Sequence, residues 1–519
     1  MTQLSLRSFR LVCKPDHTAL AEDLLAAQGF RFTEEPFSPL ARRLVHEPFP
    51  VGASIAARFG YIYVQDRSSM LPPVVLAPAA GAAVLDMCAS PGSKTGFLGQ
   101  MVSGADSHRG SHAGDLAGKG TGTGFVLGNE PSKSRLGTLR RNLQQLNLLC
   151  CVTTSQPGEQ IPLPGAGDLL DGSPTPGNAG LPGNAVCEGW RSILLDPPCS
   201  GWGTVEKHPQ AARLWQGDKV RPLIVLQQRL LAEAARLLAP GGLVSYSTCT
   251  TNIAENEEQV RYALDELGLR LVPVVAPKGF AFADPALPGM DGVLRVRTGP
   301  DGQGFFVALL QKPEAHAAPS DGNGGNGGNG RSGENEDGDG GQDGPERASS
   351  LAGGFFVRPW ERDSRHVGER RRHGRGPRDK NAGPLFLARE SLDGPLLDSG
   401  LIPEGDLAVY SDVIHFLPVA RAGLIPERFS WKGHPVGRLG RGGEARPSMH
   451  LRCLMPDAGT AARNGAAVCD VEDVAPLLDL LSGQSMAVDA KAQELGLYFR
   501  GLPLCRLPVK GRRAVLPPL

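Results

Sequence analysis

Residues 82–102 read AAVLDMCASPGSKTGFLGQMV. Six residues of strand type, 82–87, run into a loop of small residues and then into an apolar segment of helix type. Ala89, Ser90, Gly92 and Ser93 let backbone come close to a ligand, beside the open amide donors of a helix start. Asp86 stands at the end of the strand. The loop is not GxGxxG, and GSKT lacks the preceding spacing of a phosphate-binding P-loop, so neither a dinucleotide nor a P-loop motif is matched. Strand, tight loop and helix are still the opening unit of a doubly wound α/β sheet.

The residues that follow continue this alternation. A second strand over 125–127 ends at Gly128-Asn129-Glu130, and an acidic residue after the second strand is placed to hold a ribose hydroxyl pair. The segment 132–146 carries leucines at 136, 139, 143 and 146, the spacing of an amphipathic helix. Strands are predicted over 150–154, 192–195 and 243–246. Between the last two lies a periodic helix over 223–238, stopped by Pro240-Gly-Gly. Residues 256–267 read as a helix, and 293–296 with 305–310 as a closing hairpin. The fold class is α/β, a doubly wound parallel sheet.

Two of these strands run into cysteine, in LLDPPCSG (194–201) and SYSTCT (245–250). Ligands bind in the crevice at the carboxyl ends of parallel strands, so Cys199 and Cys249 are expected there together. Asp196 belongs to the same strand end as Cys199. Protonated, it can donate a hydrogen bond; as a carboxylate it can accept one. Lys94 is a cation in the same crevice, suited to lower a thiol pKa. Simpler readings stand beside these. A single cysteine after an apolar strand is commonly buried and inert. Asn252, Glu255, Asn256 and Glu257 read as a helix start with its capping groups. Trp202 and Trp215 read as packing residues before they read as stacking platforms, and His208 has no partner in the sequence.

Bulk properties divide the chain. At 519 residues it exceeds a single core. Its formal net charge is zero, so nucleic-acid affinity must come from local basic patches. Ten cysteines without a CxxC pair or zinc spacing fit a reducing compartment and no metal. No stretch has the length of a membrane span and the N-terminus lacks a signal-peptide core, so a cytoplasmic protein is expected. Residues 1–75 form a lead-in segment and 76–312 the α/β domain. Residues 313–383 read as a linker, Gly-rich and acidic, then Arg-rich over 358–380. Residues 384–519 read as a smaller, mainly β domain attached flexibly through it. Gly/Pro-rich stretches at 103–124 and 164–185 read as surface insertions.

VLDMCASPGSKT, LLDPPCSGWGT and SYSTCTTNIAENEEQV, in this order, resemble the RNA cytosine-5 methyltransferases, the family of the Fmu/RsmB, RsmF/YebU and NSUN proteins. The segment GYIYVQDRSSMLPP (60–73) resembles the family's approach to its cofactor motif. The architecture is most similar to RsmF-type bacterial rRNA enzymes. KGHPVGRLGRGGEARPSMHL (432–451) and GLPLCRLPVKGRRAVLPPL (501–519) resemble a PUA-like RNA-binding region more faintly. The resemblance implies S-adenosylmethionine as cofactor, held by Cys88, Ala89, Ser90, Pro91, Gly92, Ser93 and Lys94 with Glu130 and Asp196. It implies Cys249 as nucleophile on cytosine C6 and Cys199 as the residue that assists release, with Asp196 and Lys94 beside them. Cys88 would contribute backbone only. Many relatives carry an aspartate after the third strand at the adenine end; here 153–159 reads TTSQPGE, and Asp168 and Asp171 lie beyond it. Small-subunit rRNA is the implied substrate, with tRNA as runner-up and no membrane or metal partner. DNA enzymes attack with the cysteine of their Pro-Cys motif, so the second, Thr-Cys motif argues against DNA. An RNA-binding scaffold without turnover is the remaining alternative, disfavoured by intact Cys199, Cys249, Asp196 and Lys94.

Overall fold

Five parallel strands form the middle of a ten-stranded sheet: β1 (Ala83–Asp86), β2 (Phe125–Asn129), β3 (Cys151–Thr154), β4 (Trp190–Leu195) and β5 (Leu238–Thr248). The computed structural model describes residues 7–103, 124–161, 189–204, 219–299, 302–314, 385–403, 405–418, 431–488 and 492–517. The predicted insertions over 103–124 and 164–185 lie almost wholly outside these residues, as does the predicted linker, including its Arg-rich stretch.

The strands are ordered β3-β2-β1-β4-β5, so the direction of winding reverses between β1 and β4. That reversal opens a crevice at their carboxyl ends. The strand Phe305–Gln311 pairs antiparallel with β5, and Leu294–Val296 pairs with it in turn, which is the predicted closing hairpin. Helices α1 (Ser93–Val102), α2 (Lys133–Leu146), α3 (Arg221–Leu237) and α4 (Glu257–Asp265) connect or flank the strands. The four leucines of α2 are all buried, as their spacing requires.

Pro240-Gly241-Gly242 does not separate helix from strand. β5 begins at Leu238, directly after α3, and its register with β4 shifts between Trp190 and Ser192. The extra residues form a bulge, a place in a sheet where proline's missing N–H is tolerated.

The lead-in segment is itself a folded unit. Strands Arg31–Glu35, Ser38–His46, Ser8–Leu11 and Ile62–Val64 form an antiparallel sheet in that order. The C-terminal region is mainly β, with two five-stranded sheets and two short helices among its described residues. Its apolar faces are buried partly against the N-terminal unit. Val471, Leu477, Leu497 and Phe499 share one core with Phe9 of the N-terminal sheet and with Leu24 and Ile55 of the helices beside it. Trp431–Lys432 adds a short antiparallel strand to the β3 edge of the central sheet. Sheets this small cannot cover both faces themselves, so each covers the other.

Arg452 pins the three regions together. Its guanidinium donates to the carbonyls of Val12, Gly60, Gln145 and Leu146, at 2.7–3.3 Å. It also lies 4.4 Å from the Tyr61 ring centroid. Two of those carbonyls belong to the last turn of α2, where a cation is favoured. Arg452→Met should therefore destabilise the protein by on the order of 3 kcal/mol, since buried carbonyls lose a charged donor. Thermal or urea unfolding measures this; a change within error of wild type would remove Arg452 from the role of pin. No helix among the described residues is long and apolar enough to cross a membrane.

Candidate active site

Parallel register decides what meets at the crevice. Asp86 of β1 is opposite Leu194 of β4, and Leu195 of β4 is opposite Tyr246 of β5. The chains leaving these strands emerge side by side, carrying the β1–α1 loop, Asp196-Pro-Pro-Cys199 and Ser247-Thr-Cys249. Sulfur meets sulfur there: the Sγ atoms of Cys199 and Cys249 are 3.1 Å apart.

Lys94, in the first turn of α1, reaches across β1 to β4. Its Nζ lies 2.7 Å from Asp196 Oδ2, and Ser247 Oγ donates to Asp196 Oδ1 at 2.7 Å. Both oxygens of Asp196 thus accept. Burial alone would push the Lys94 pKa down, but the adjoining carboxylate outweighs it and raises the value. The ammonium also sits 5.5 Å from the Phe305 ring centroid.

The two thiols are unequal. Cys199 donates its S–H toward Cys249, which lowers the Cys249 pKa; burial opposes this, and the Lys94 charge assists it. The same hydrogen bond, followed by burial, raises Cys199 well above the ordinary thiol value. Cys249 is therefore the more acidic thiol of the pair.

The Cys88–Ser93 loop is held from below. Ala89 N donates to Asn129 O at 2.9 Å, and Ser90 Oγ to Arg135 O at 3.0 Å. Asn142 Nδ2 donates to Pro91 O at 2.7 Å. Gly92 has φ +107°, and a Cβ there would come 3.0 Å from Leu139 Cδ1, so glycine answers both the turn and the packing on α2. Burial, then the Asp86 carboxylate, push the Cys88 thiol well up, which keeps it protonated and unreactive. Asp86 accepts from Thr95 Oγ1 at 2.7 Å, yet burial lifts its pKa to about 7. Glu130 is buried at the end of β2, 3.4 Å from Arg135 and accepting from Ser132 N. Asp86, Glu130 and Asp196 thus give the crevice three carboxylates around a small-residue loop, a lining suited to a ligand with positive charge.

Some participants are not evident from the sequence. Asn129 donates to Met87 O and Gln156 O and accepts from Gln156 N, tying the ends of β1, β2 and β3 together. An asparagine directly after a strand is its only sequence signal. Glu255, read as part of a helix start, is fully buried and bonded to the Cys199 loop. Asn252 does cap, accepting from Ala254 N at 3.2 Å. Trp202 is 37% exposed, in the turn after Cys199. Trp215, His208, Asp168 and Asp171 lie outside the described residues. Among the described residues, no group of three His, Cys, Asp or Glu side chains could hold a metal ion.

Comparison with known proteins adds an independent finding. The family described as 16S rRNA methyltransferase RsmB/F matches residues 73–311. Ribosomal RNA small subunit methyltransferase F of Cronobacter sakazakii is 31% identical over 294 residues, 56% of this chain and 53% of that protein. The tRNA (cytosine(49)-C(5))-methyltransferase of Pyrococcus abyssi is 30% identical over 272 residues, 50% of this chain and 74% of that protein. A solved methyltransferase homologue from Pyrococcus horikoshii aligns with TM-score 0.44 and 28% identity over 59% of this chain and 87% of its own. The chain spans about half the length of the curated small-subunit methyltransferase F relatives.

Two measurements follow from these electrostatics. Iodoacetamide should modify Cys249 before Cys199 near neutral pH, and Lys94→Gln should move the Cys249 midpoint upward by roughly one pH unit. Peptide mass mapping reads both; equal labelling of the two thiols would contradict their assigned asymmetry. Asp86 gives a stability slope. Its folded pKa of about 7 exceeds the ordinary 3.8, so the unfolded chain releases that proton first as pH rises. The contribution is complete in acid and is lost toward pH 7, a fall on the order of 4 kcal/mol. Denaturant unfolding of the unliganded protein should show this slope, and Asp86→Asn should flatten it. A slope that survives the substitution would belong to another group.

Proposed function

This chain belongs to the RNA cytosine-5 methyltransferases, and on that premise we propose that it transfers a methyl group from S-adenosylmethionine to carbon 5 of a cytosine in RNA. The observation that carries the reading is the sulfur pair, an activated Cys249 against Cys199, beside the Lys94–Asp196 ion pair. The Cys88–Ser93 loop with Asp86 and Glu130 suits S-adenosylmethionine, whose sulfonium and ammonium are positive. When bound, that cofactor supplies a methyl group electrophilic enough for a weak carbon nucleophile.

Carbon 5 of cytosine is too poor a nucleophile unaided. The Cys249 thiolate adds to carbon 6, forming a C–S bond and pushing the ring electrons toward carbon 5. Asp196 accepts from the exocyclic amine while Lys94 holds its other face. After methylation, carbon 5 carries a proton that must leave before the C–S bond can break. Cys199 is the base in reach. Its raised pKa comes first from the bond it donates to Cys249; once Cys249 is a thioether, that charged acceptor is gone. Cys199 thus becomes easier to deprotonate at the stage that needs a base. Its thiolate takes the carbon 5 proton, and the electrons expel Cys249.

The target base must leave its stack to enter the crevice, which favours unpaired or distorted RNA. The mainly β C-terminal region, PUA-like by resemblance, supplies RNA contacts, with Lys510, Arg512 and Arg513 exposed on one turn. Small-subunit rRNA is the favoured substrate, in line with the family description and the Cronobacter relative. A tRNA substrate is the second reading, because the Pyrococcus abyssi relative, named a tRNA methyltransferase, is covered over 74% of its length.

Cys249→Ala should abolish methyl transfer and leave no covalent RNA adduct. Cys199→Ala should form the adduct and retain it, visible as a protein–RNA band on denaturing gels. Exchange of these phenotypes would reverse the cysteine roles. Bisulfite sequencing of rRNA and tRNA from a deletion strain identifies the substrate, and a full set of unchanged cytosines would support the scaffold alternative.

A further inference from the structure

Glu255 is a fully buried carboxylate with four donors, none of them a cation. Burying a carboxylate is costly unless its oxygens are satisfied, so its partners reveal what it holds. Two donors belong to Ser200, the residue after Cys199: the backbone N at 2.9 Å to Oε1, and Oγ at 2.5 Å to Oε2. Gln227 Nε2 donates to Oε1 at 3.1 Å and also to the carbonyl of Pro198, the residue before Cys199, at 2.9 Å. Cys199 is therefore bracketed on both sides by one carboxylate and its amide relay.

The next residue does the same for the other thiol. Thr248 Oγ1 donates to Asn256 Oδ1 at 2.6 Å, and Asn256 Nδ2 donates to Thr250 O at 3.0 Å. These flank Cys249. The brackets are linked at one point, Ser200 Oγ with Thr250 Oγ1 at 3.0 Å. Since Ser200 gives its single proton to the carboxylate, Thr250 is the donor in that link. Neither Glu255 nor Asn256 reaches a sulfur; each acts on the backbone that carries one.

We propose that Glu255 and Asn256 are positioning residues with separate duties, Glu255 fixing the release thiol Cys199 and Asn256 fixing the attacking thiol Cys249. This rests on the cysteine roles given above. Loosening Cys199 leaves addition to carbon 6 in place but slows proton removal, so the adduct outlives its normal span. Loosening Cys249 slows addition itself.

Two RNA probes separate the steps: an in vitro transcript of small-subunit rRNA, and the same transcript made with 5-fluorocytidine. Fluorine cannot leave as a proton does, so adduct on the second probe reads addition and methyl transfer without the release step. Glu255→Gln should raise the ratio of standing adduct to turnover on the ordinary transcript by about tenfold, the scale expected when a reacting group is misplaced by a fraction of an ångström. Asn256→Ala should slow adduct formation on the fluorinated transcript by a similar factor and raise no standing adduct. Ser200→Ala and Thr248→Val, which cut the same two brackets elsewhere, should reproduce the respective phenotypes and cover the case in which a first variant does not fold. Matching phenotypes for the two brackets, or loss of addition in Glu255→Gln and Ser200→Ala, would overturn the proposal. Cys199→Ala and Cys249→Ala run alongside: if Cys199→Ala retains no adduct, the cysteine roles themselves fail, which is a different result from failure of the brackets.

Discussion

Leu195 lies beside Tyr246 in a parallel ladder, so the two chains leave the sheet at the same height and in the same direction. Everything at the crevice depends on that register. A slip of one residue would send the side chains of one strand to the opposite face and carry one thiol away from the other. With the register kept, Ser247 faces Asp196 while Tyr246 turns inward and donates to the Glu255 carbonyl at 2.7 Å. The asymmetry of the thiols then needs one further element. Lys94 enters from α1, the helix that follows β1, across the reversal of strand order, and brings positive charge to bear on Cys249.

The region around this crevice is tied by connections that are local on one side and long-range on the other. Asn129 stitches three neighbouring strand ends. Arg452, far away in sequence, closes the last turn of α2 and the N-terminal sheet with one guanidinium. Tyr61 adds a hydrogen bond to the Pro503 carbonyl. The Cys88–Ser93 loop packs on α2, so a pin placed at the end of that helix also steadies the floor of the crevice.

Much of this was legible in the residues. Periodicity located the five parallel strands, because a strand buried on both faces reads as an apolar run and the helices between them repeat at 3–4 residues. The cysteines, Asp196 and Lys94 were evident because strand ends in a wound sheet converge. Other features leave no local mark. Pro240 signals a break in any window that ignores the neighbouring strand, yet a bulge absorbs it. Glu255 stands where a capping acid belongs, and spacing cannot show that its acceptor oxygens face Ser200, 55 residues away in the chain. The shared core of Phe9 with Leu497 joins residues from opposite ends of the chain, and such contacts impose no period on either segment.

The short strand Trp431–Lys432 has a consequence for the solution behaviour of the molecule. β3 ends the row of parallel strands, and an edge strand offers unpaired N–H and C=O groups to any passing chain. Two residues from the C-terminal region occupy part of that edge. The region read first as an RNA-handling appendage thus also acts as a guard against self-association. A fragment cut back to the α/β portion would lose that guard and expose a template for aggregation while keeping all four crevice residues.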